Sequence, residues 1–541
     1  MRDLKNTEFL FVIEINGEAG DGILTSGETL LNSVGMLGHH GSIHKSFPSN
    51  VREGRCSVLV KISSQPVSSY FSEPEFIVSF KGQKVTLINK RKNNENYVQL
   101  KIPQILRKVS ILKGSYLLGI VGKVLGMPSE LMLKVLMDNV GNKDKNLTYL
   151  NRDVFFDGYN CASKEMQSTT FLLPVVEDLN QKRIIIDGNE AIAMGAVSAG
   201  CRFFSSYPIT PATTIGDYIS TYLPQFDGIS HQAEDEISAL GAVMGASFNG
   251  TRAMTATSGP GLSLMQEFLG YSSMTELPAV IVDVQRSGPS TGMPTKTSQG
   301  DLFAAALGGH GEGERIVISP QKVEECFYLT IDAFALAQKY RCPVILLSDS
   351  SLAYTRETIN YPKTVTNTDN HLSNAEMTSR KSPVTQRVTG IEHDSSNFPT
   401  SEEQSRVQQM KRRSSKLIPL TQNCSKLMEW DLEDGINDYQ LSVISWGLTA
   451  FTTKEAIAKL RSEGYQIAGL FPRLLYPINR EAFQHFSEYC NRIVSVEQNQ
   501  TGQFAKLIMM ETGQKILTTC KNSGDPWTTE QVTGVLENYL K

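Results

Sequence analysis

Four short stretches of this 541-residue chain combine residue types that do chemistry with residues that hold them still. In Tyr207-Pro208-Ile209-Thr210-Pro211, two prolines fix φ and push the residues before them toward extended backbone, so the Thr210 hydroxyl is carried on a rigid loop. A rigid loop suits a hydroxyl that must point at a ligand, and a plain structural turn accounts for the pentapeptide equally. Asp235-Glu236 opens the Ala/Gly-rich segment ISALGAVMGASF. An acid there caps the helix or complements its dipole, or it holds a heterocycle nitrogen at the mouth of a core. Thr257-Ser258-Gly259-Pro260-Gly261 supplies backbone N–H donors and room for close approach. Arg286 ends the apolar run VIVDVQ and precedes Ser-Gly-Pro-Ser-Thr-Gly. Its planar fork suits bidentate binding of a carboxylate, the alternative being a structural salt bridge.

Other chemistries have little support. Lys+Arg 52 against Asp+Glu 56 leaves a net charge of -4, without the basic excess that nucleic-acid binding needs. The cysteines (56, 161, 201, 326, 342, 424, 490, 520) form no C-x-x-C pair, so neither a zinc ribbon nor a run-type iron–sulfur motif is expected, nor a secreted disulfide framework. The N-terminal run has no cleavage site of the signal-peptide kind, and no apolar stretch is long enough for a membrane helix. A reducing cytoplasm is the expected compartment. The turn Gly17-Glu-Ala-Gly20-Asp21-Gly22 lies between a strand-like and a helix-like segment. That context suits an anion at a helix N-terminus or a tight turn with no ligand. Its G-x-x-G-x-G spacing is not the dinucleotide fingerprint. Gly20-Asp21-Gly22 followed by Asn50 imitates a diphosphate–magnesium motif, but Asn50 lies in a polar turn and the match reads as coincidence.

The elements that carry these stretches alternate strand and helix. At roughly 100 to 200 residues per domain, the length predicts about three or four domains. Phe9 to Ile15, Ser57 to Ser63 and Glu75 to Phe80 read as strands, and Lys108 to Met137 as helix. From Arg183 onward, CRFFSSYP, VIVDVQR and VILLSD are buried-strand candidates between helices, which predicts a mostly parallel, doubly wound sheet. ISALGAVMGASF is small and apolar nearly all round, so a helix buried on every side is expected. Residues 360–430 are polar and aperiodic, the pattern of a surface connector or a partly ordered one. Regularity returns with LSVISW, FTTKEAIAKLRSEG, YQIAGLF and NRIVSVE, a βαβαβ unit.

Taken together, YPITP, EDEISA, ATSGPGLSLM, QRSGPSTGMPTKTSQGDL, GGHGE (308–312), GIEHD (390–394), VEQNQTGQ (496–503) and, near the start, GEAGDGI and PSNVREG resemble the α subunit of 2-oxoacid:ferredoxin oxidoreductases. The likeness is to the form with the γ domain fused ahead, and most of all to the 2-oxoglutarate type. PSNVREG departs from the family's Arg-Gly-Gly ending. The resemblance implies a multidomain α/β protein: a γ-like domain (1–178), a thiamine-diphosphate pyrimidine-binding domain (183–360), a connector (361–433) and a transketolase C-terminal-like domain (434–541).

The resemblance also implies CoA-dependent oxidative decarboxylation of a 2-oxoacid, with electrons passed to ferredoxin. Glu236 would activate the thiamine pyrimidine, with Glu234 the lesser candidate, and Thr210 would stand near the reacting carbon. Arg286, Thr295 and Tyr207 would bind substrate, and Pro208, Ser258 and Gly259 the cofactor. No metal ligand is expected in this chain. A β subunit would supply the diphosphate–Mg2+ site and [4Fe-4S] clusters, in an αβ or (αβ)2 assembly without nucleic acid or membrane. Pyruvate or branched 2-oxoacids, an NAD- or flavin-linked dehydrogenase and a non-catalytic subunit are the alternatives.

Overall fold

The computed structural model describes residues 9–46, 55–81, 84–90, 96–101, 103–140, 145–165, 173, 183–363, 388–490 and 492–541. The protein is a multidomain α/β chain in two compact units, one of residues 1–186 and 354–362, the other of residues 187–353 and 363–541. Among the described residues, no helix is long and apolar enough to cross a membrane.

The first unit is built on an eight-stranded sheet. In order across it run Asn96–Lys101, Lys84–Asn89, Phe76–Lys81, Leu10–Glu18, Arg55–Ser63, His40–Ser46, Arg356–Asn360 and Arg183–Asp187. Leu10–Glu18 is parallel to Phe76–Lys81 and antiparallel to Arg55–Ser63, with Ile13 and Ile15 fully enclosed. The glycine turn follows this strand and leads into helix Ile23–Met36, with Gly20 and Gly22 at positive φ. Asp21 closes the turn: its carboxylate accepts from the Glu18 N–H at 3.0 Å and pairs with Lys113 Nζ at 2.8 Å. The stretch expected as one helix from Lys108 to Met137 is two, Lys113–Val124 and Ser129–Val140. Gly126 takes φ +62° and Pro128 follows, a pairing that stops one helix and starts the next.

The second unit holds two sheets. The larger has the order Leu474–Tyr476, Ile316–Ile318, Pro343–Asp349, Ala279–Gln285, Ala253–Thr257, Phe203–Ser206, Ile229–Gln232. All its neighbours are parallel except the first pair. The strand ends therefore release YPITP, EDE, SGPG and RSG at one edge, where ligands bind in open α/β sheets. The smaller sheet runs Met428–Asp431, Ile467–Pro472, Leu441–Ser445, Ile493–Glu497, Leu517–Cys520, antiparallel only at its first pair.

Within the polar stretch 360–430, residues 364–387 lie outside the described set, and the rest includes helix Glu403–Ser415. Ion pairs hold this helix where an apolar stripe is missing: Arg412 Nη2 meets Glu276 at 2.8 Å, and Arg413 Nη2 meets Glu392 at 2.7 Å. Hydrophobic periodicity has no way to register such a helix.

Glu497 explains much of VEQNQTGQ. Fully enclosed, it accepts from the N–H groups of Phe504 and Ala505 at 2.9 Å, from Asn499 Nδ2 at 2.8 Å and from Ser495 Oγ at 3.0 Å. The carboxylate thus satisfies the first donors of helix Gln503–Thr512. Glu497→Ala should cost about 2 to 5 kcal/mol, since it orphans several buried donors at once. Equilibrium chemical denaturation reads that loss, and a cost below about 1 kcal/mol would show the carboxylate to be dispensable.

Candidate active site

Strand Ile229–Gln232 delivers helix Glu236–Phe248 to the sheet edge. Asp235 caps it, its carboxylate accepting from the Ser238 N–H at 2.7 Å. The capping role therefore belongs to Asp235, which frees the next residue. Glu236 is 7% exposed and no hydrogen bond or ion pair is found for its carboxylate among the described residues, whereas Glu234 is exposed and accepts from Ser238 Oγ. The helix is not buried on every side as expected. Ala239, Leu240, Val243 and Met244 face inward, while Ile237 and Phe248 are 43% and 42% exposed.

SGPG forms the wall facing Glu236. A Cβ on Gly261 would stand 2.0 Å from Thr257 Oγ1 and 2.8 Å from Glu236 Oε1, so only glycine fits between them. A Cβ on Gly259 would meet Asp301 Oδ2 at 2.7 Å. Ser258 is buried, and its hydroxyl has no partner.

Arg286, 8% exposed at the end of strand Ala279–Gln285, donates from Nη1 to the Thr210 carbonyl oxygen at 2.6 Å, while its enclosed Nε has no partner among the described residues. Burial pulls the guanidinium below its ordinary value, and Asp301 opposes that shift. Thr210 is half-buried, and Tyr207 and Pro208 are exposed at the outer end of the same loop. Thr295 is half-buried in the loop after Arg286, which closes on itself through Ser287 N–H to Lys296 O at 2.9 Å and Met293 N–H to Ser287 O at 2.8 Å. Hydrogen bonding thus joins Arg286 to Thr210, close packing joins Glu236 to Gly261, and Tyr207, Pro208 and Thr295 enter neither group. Asn50 and PSNVREG lie outside the described residues.

Sequence reasoning passed over two acids. Among the described residues, Asp283, wholly enclosed in the strand before Arg286, has neither oxygen partnered, and Asp301 has its Oδ2 enclosed without a partner. Burial pushes Asp301 up to about 6 against the pull of Arg286, and burial together with the Asp301 charge pushes Asp283 well above the carboxylate range. The available signal was the period of VDVQR, where polar residues at 283 and 285 alternate with valine and so share one face of the strand.

A buried, unengaged carboxylate, a glycine cradle and a carboxylate-type guanidinium at one edge of a parallel sheet define a cofactor-dependent α/β enzyme site. The profile described as "Pyruvate flavodoxin/ferredoxin oxidoreductase, thiamine diP-bdg" matches residues 194–413, and that of "Pyruvate ferredoxin/flavodoxin oxidoreductase" matches residues 12–161. The 2-oxoglutarate synthase subunit KorA of Methanothermobacter marburgensis is 38% identical over 356 residues, 61% of this chain and 91% of the relative. A 2-oxoacid:ferredoxin oxidoreductase subunit alpha from Saccharolobus solfataricus is 31% identical over 474 residues, 80% of this chain and 72% of the relative. The solved structure of 2-oxoglutarate:ferredoxin oxidoreductase from Magnetococcus marinus, with 2-oxoglutarate, coenzyme A and succinyl-CoA bound, superposes with a TM-score of 0.87 at 30% identity, covering 98% of this chain and all of that one. The chain belongs to the 2-oxoacid:ferredoxin oxidoreductase family and carries its thiamine-diphosphate-binding domain.

The residues present fit that cofactor: Glu236 is a buried acid whose carboxylate has no hydrogen bond or ion pair among the described residues, and the bare Gly261 lets Thr257 and that carboxylate pack against the SGPG turn. Gly261→Ala overpacks this place by about 1 to 3 kcal/mol and displaces Glu236. Thiamine diphosphate retained by the purified complex should fall by about tenfold, measured after acid extraction, whereas full retention would detach Gly261 from the site.

Proposed function

We propose that the chain is the pyrimidine-binding subunit of a CoA-acylating 2-oxoacid:ferredoxin oxidoreductase that converts 2-oxoglutarate to succinyl-CoA and passes the electrons to ferredoxin, and that can run in reverse. The observation that carries this reading is the buried Glu236, whose carboxylate has no hydrogen bond or ion pair among the described residues, on the same sheet edge as the Arg286–Thr210 pair. The names of the relatives and the ligands of the solved structure point to the same substrate.

When bound, thiamine diphosphate supplies the electron sink that a 2-oxoacid needs in order to lose carbon dioxide. Glu236 would be the residue that meets a ring nitrogen of the bound cofactor, at a helix start where burial keeps water from competing for it. Arg286 spends one N–H on the Thr210 carbonyl and offers its remaining Nη donors to the substrate carboxylate. The Thr210 hydroxyl orients the substrate from the facing loop.

This chain supplies half of the site in our reading. A β subunit brings the diphosphate–Mg2+ site and [4Fe-4S] clusters, because the cysteines here have no cluster spacing. It would cover the outer face of helix Glu236–Phe248, where Ile237, Gly241, Gly245 and Phe248 recur at helical spacing with the two large apolar side chains open. The first unit is assigned the γ-like role of helping to hold coenzyme A, and the assembly a cytoplasmic place.

The test is co-expression with the β subunit, followed by a 2-oxoacid panel with CoA and a viologen acceptor. Glu236→Ala should lower kcat by about a hundredfold to ten-thousandfold, the usual weight of a positioned acid–base group. Near-wild-type turnover would remove Glu236 from the mechanism. Arg286→Lys keeps the charge and loses the fork, so KM for the 2-oxoacid should rise and kcat/KM fall by about tenfold or more. Unchanged kinetics would make Arg286 structural, and a preference for pyruvate or a branched 2-oxoacid would overturn the substrate assignment alone.

A further inference from the structure

Helix Val323–Tyr340 borders a cavity of about 520 Å³ that has no part in the chemistry above, since none of the sheet-edge residues lines it. Leu329, Asp332, Ala335, Leu336 and Tyr340 recur along the helix at three- and four-residue spacing, so they share one side of it. The rest of the lining comes from the segment 419–427, in which Leu420 and Cys424 are buried, and from Arg473. Leu329, Ala335, Leu336 and Tyr340 are buried as well, which makes the floor apolar.

Asp332 is the misfit on that face. No hydrogen bond or ion pair is found for its carboxylate among the described residues, although it stands in the middle of an otherwise apolar stripe. The other polar groups of the floor are engaged. Glu325 meets Arg473 Nη2 at 2.6 Å and accepts from the Gln321 N–H at 3.0 Å, and Cys424 Sγ accepts from Asn479 Nδ2 at 3.0 Å. A carboxylate among leucines is costly unless a donor or a cation meets it. Burial pushes Asp332 up to about 6, and the Lys426 charge opposes that shift.

We propose that this cavity binds a small organic ammonium with an aromatic or branched aliphatic body. The ammonium donates to Asp332, and the body covers the leucines and the tyrosine ring. The volume and the balance of an apolar lining with few polar groups are those of a small-molecule site. An anion would set like charge against Asp332, and a wholly apolar ligand would strip water from the carboxylate without replacing it. A simple amine and an apolar amino acid offer the same ammonium. The amino acid adds a carboxylate, for which the exposed Lys339 and Lys426 stand at the outer lining.

The test is isothermal titration of the purified full chain at about pH 8, where Asp332 is ionised, with phenethylamine, phenylalanine and 3-phenylpropionate as probes. It needs no turnover, so the outcome is independent of the reaction assigned above. At least one ammonium probe should saturate with a Kd of about 1 mM, and 3-phenylpropionate should bind about tenfold more weakly or worse. Tighter binding of phenylalanine names an amino acid as the occupant and tighter binding of phenethylamine a simple amine, and either supports the site. Asp332→Asn keeps the shape, removes the charge and should weaken the ammonium probes by about tenfold. Ala335→Phe fills the floor and should abolish their binding. The proposal fails if neither ammonium saturates by about 20 mM, if 3-phenylpropionate binds equally well, or if either variant leaves the affinity unchanged. Should Ala335→Phe not fold, the isosteric Asp332→Asn decides alone.

Discussion

The hydrogen bond from Arg286 Nη1 to the Thr210 carbonyl oxygen joins loops 76 residues apart in the chain. Both loops leave parallel strands at the same edge, so the sheet sets their distance and the hydrogen bond sets their orientation. A guanidinium placed there must be buried enough to exclude water yet keep donors unspent. The 8% exposure of Arg286 and its unpartnered Nε meet both conditions. Next to it in the chain fold, the missing side chain of Gly259 leaves room for the Asp301 carboxylate.

The loop after Arg286, closed on itself and bonded through Thr297 Oγ1 to Asp349, is also tied to the smaller sheet of the same unit. Gln299 donates from Nε2 to the Trp446 carbonyl at 3.1 Å, accepts from Thr449 Oγ1 at 2.8 Å and, through its backbone N–H, reaches the Gln498 carbonyl at 2.8 Å. Gln503 Nε2 adds a bond to the Gly300 carbonyl at 2.8 Å. These neutral amides hold the segment carrying Asp301 without adding charge to a place where charge is already tuned. The buried Glu497 network fixes the turn from which Gln498 and Gln503 project. The C-terminal sheet therefore contributes to the site although none of its side chains was a candidate for chemistry.

Much of this was legible in the chain itself. CRFFSSYP, VIVDVQR and VILLSD read as strands of a mostly parallel sheet, with YPITP and RSG at the ends of two of them, whereas the short strand Ile229–Gln232 ahead of EDE gave no such signal. Helix Glu403–Ser415 was not legible, because ion pairs with Glu276 and Glu392 hold it, and those partners are found only after folding. The break at Gly126 to Pro128 was visible as residues, but a long apolar-periodic run outweighed it.

Local covalent chemistry decided by itself where the chain turns, which residues are conformationally fixed and which side chains have catalytic valence, since φ restriction and a side chain's functional group are properties of a residue and its immediate neighbours. Tertiary structure alone decided which of those side chains lose water. It enclosed Glu236 while leaving Glu234 exposed two residues away, and it opened one face of a helix whose composition is apolar all round. It also enclosed Asp283 in a strand where neither carboxylate oxygen finds a hydrogen-bond partner among the described residues. Desolvation and charge–charge interaction depend on what surrounds a group in space, and no spacing along the chain encodes that.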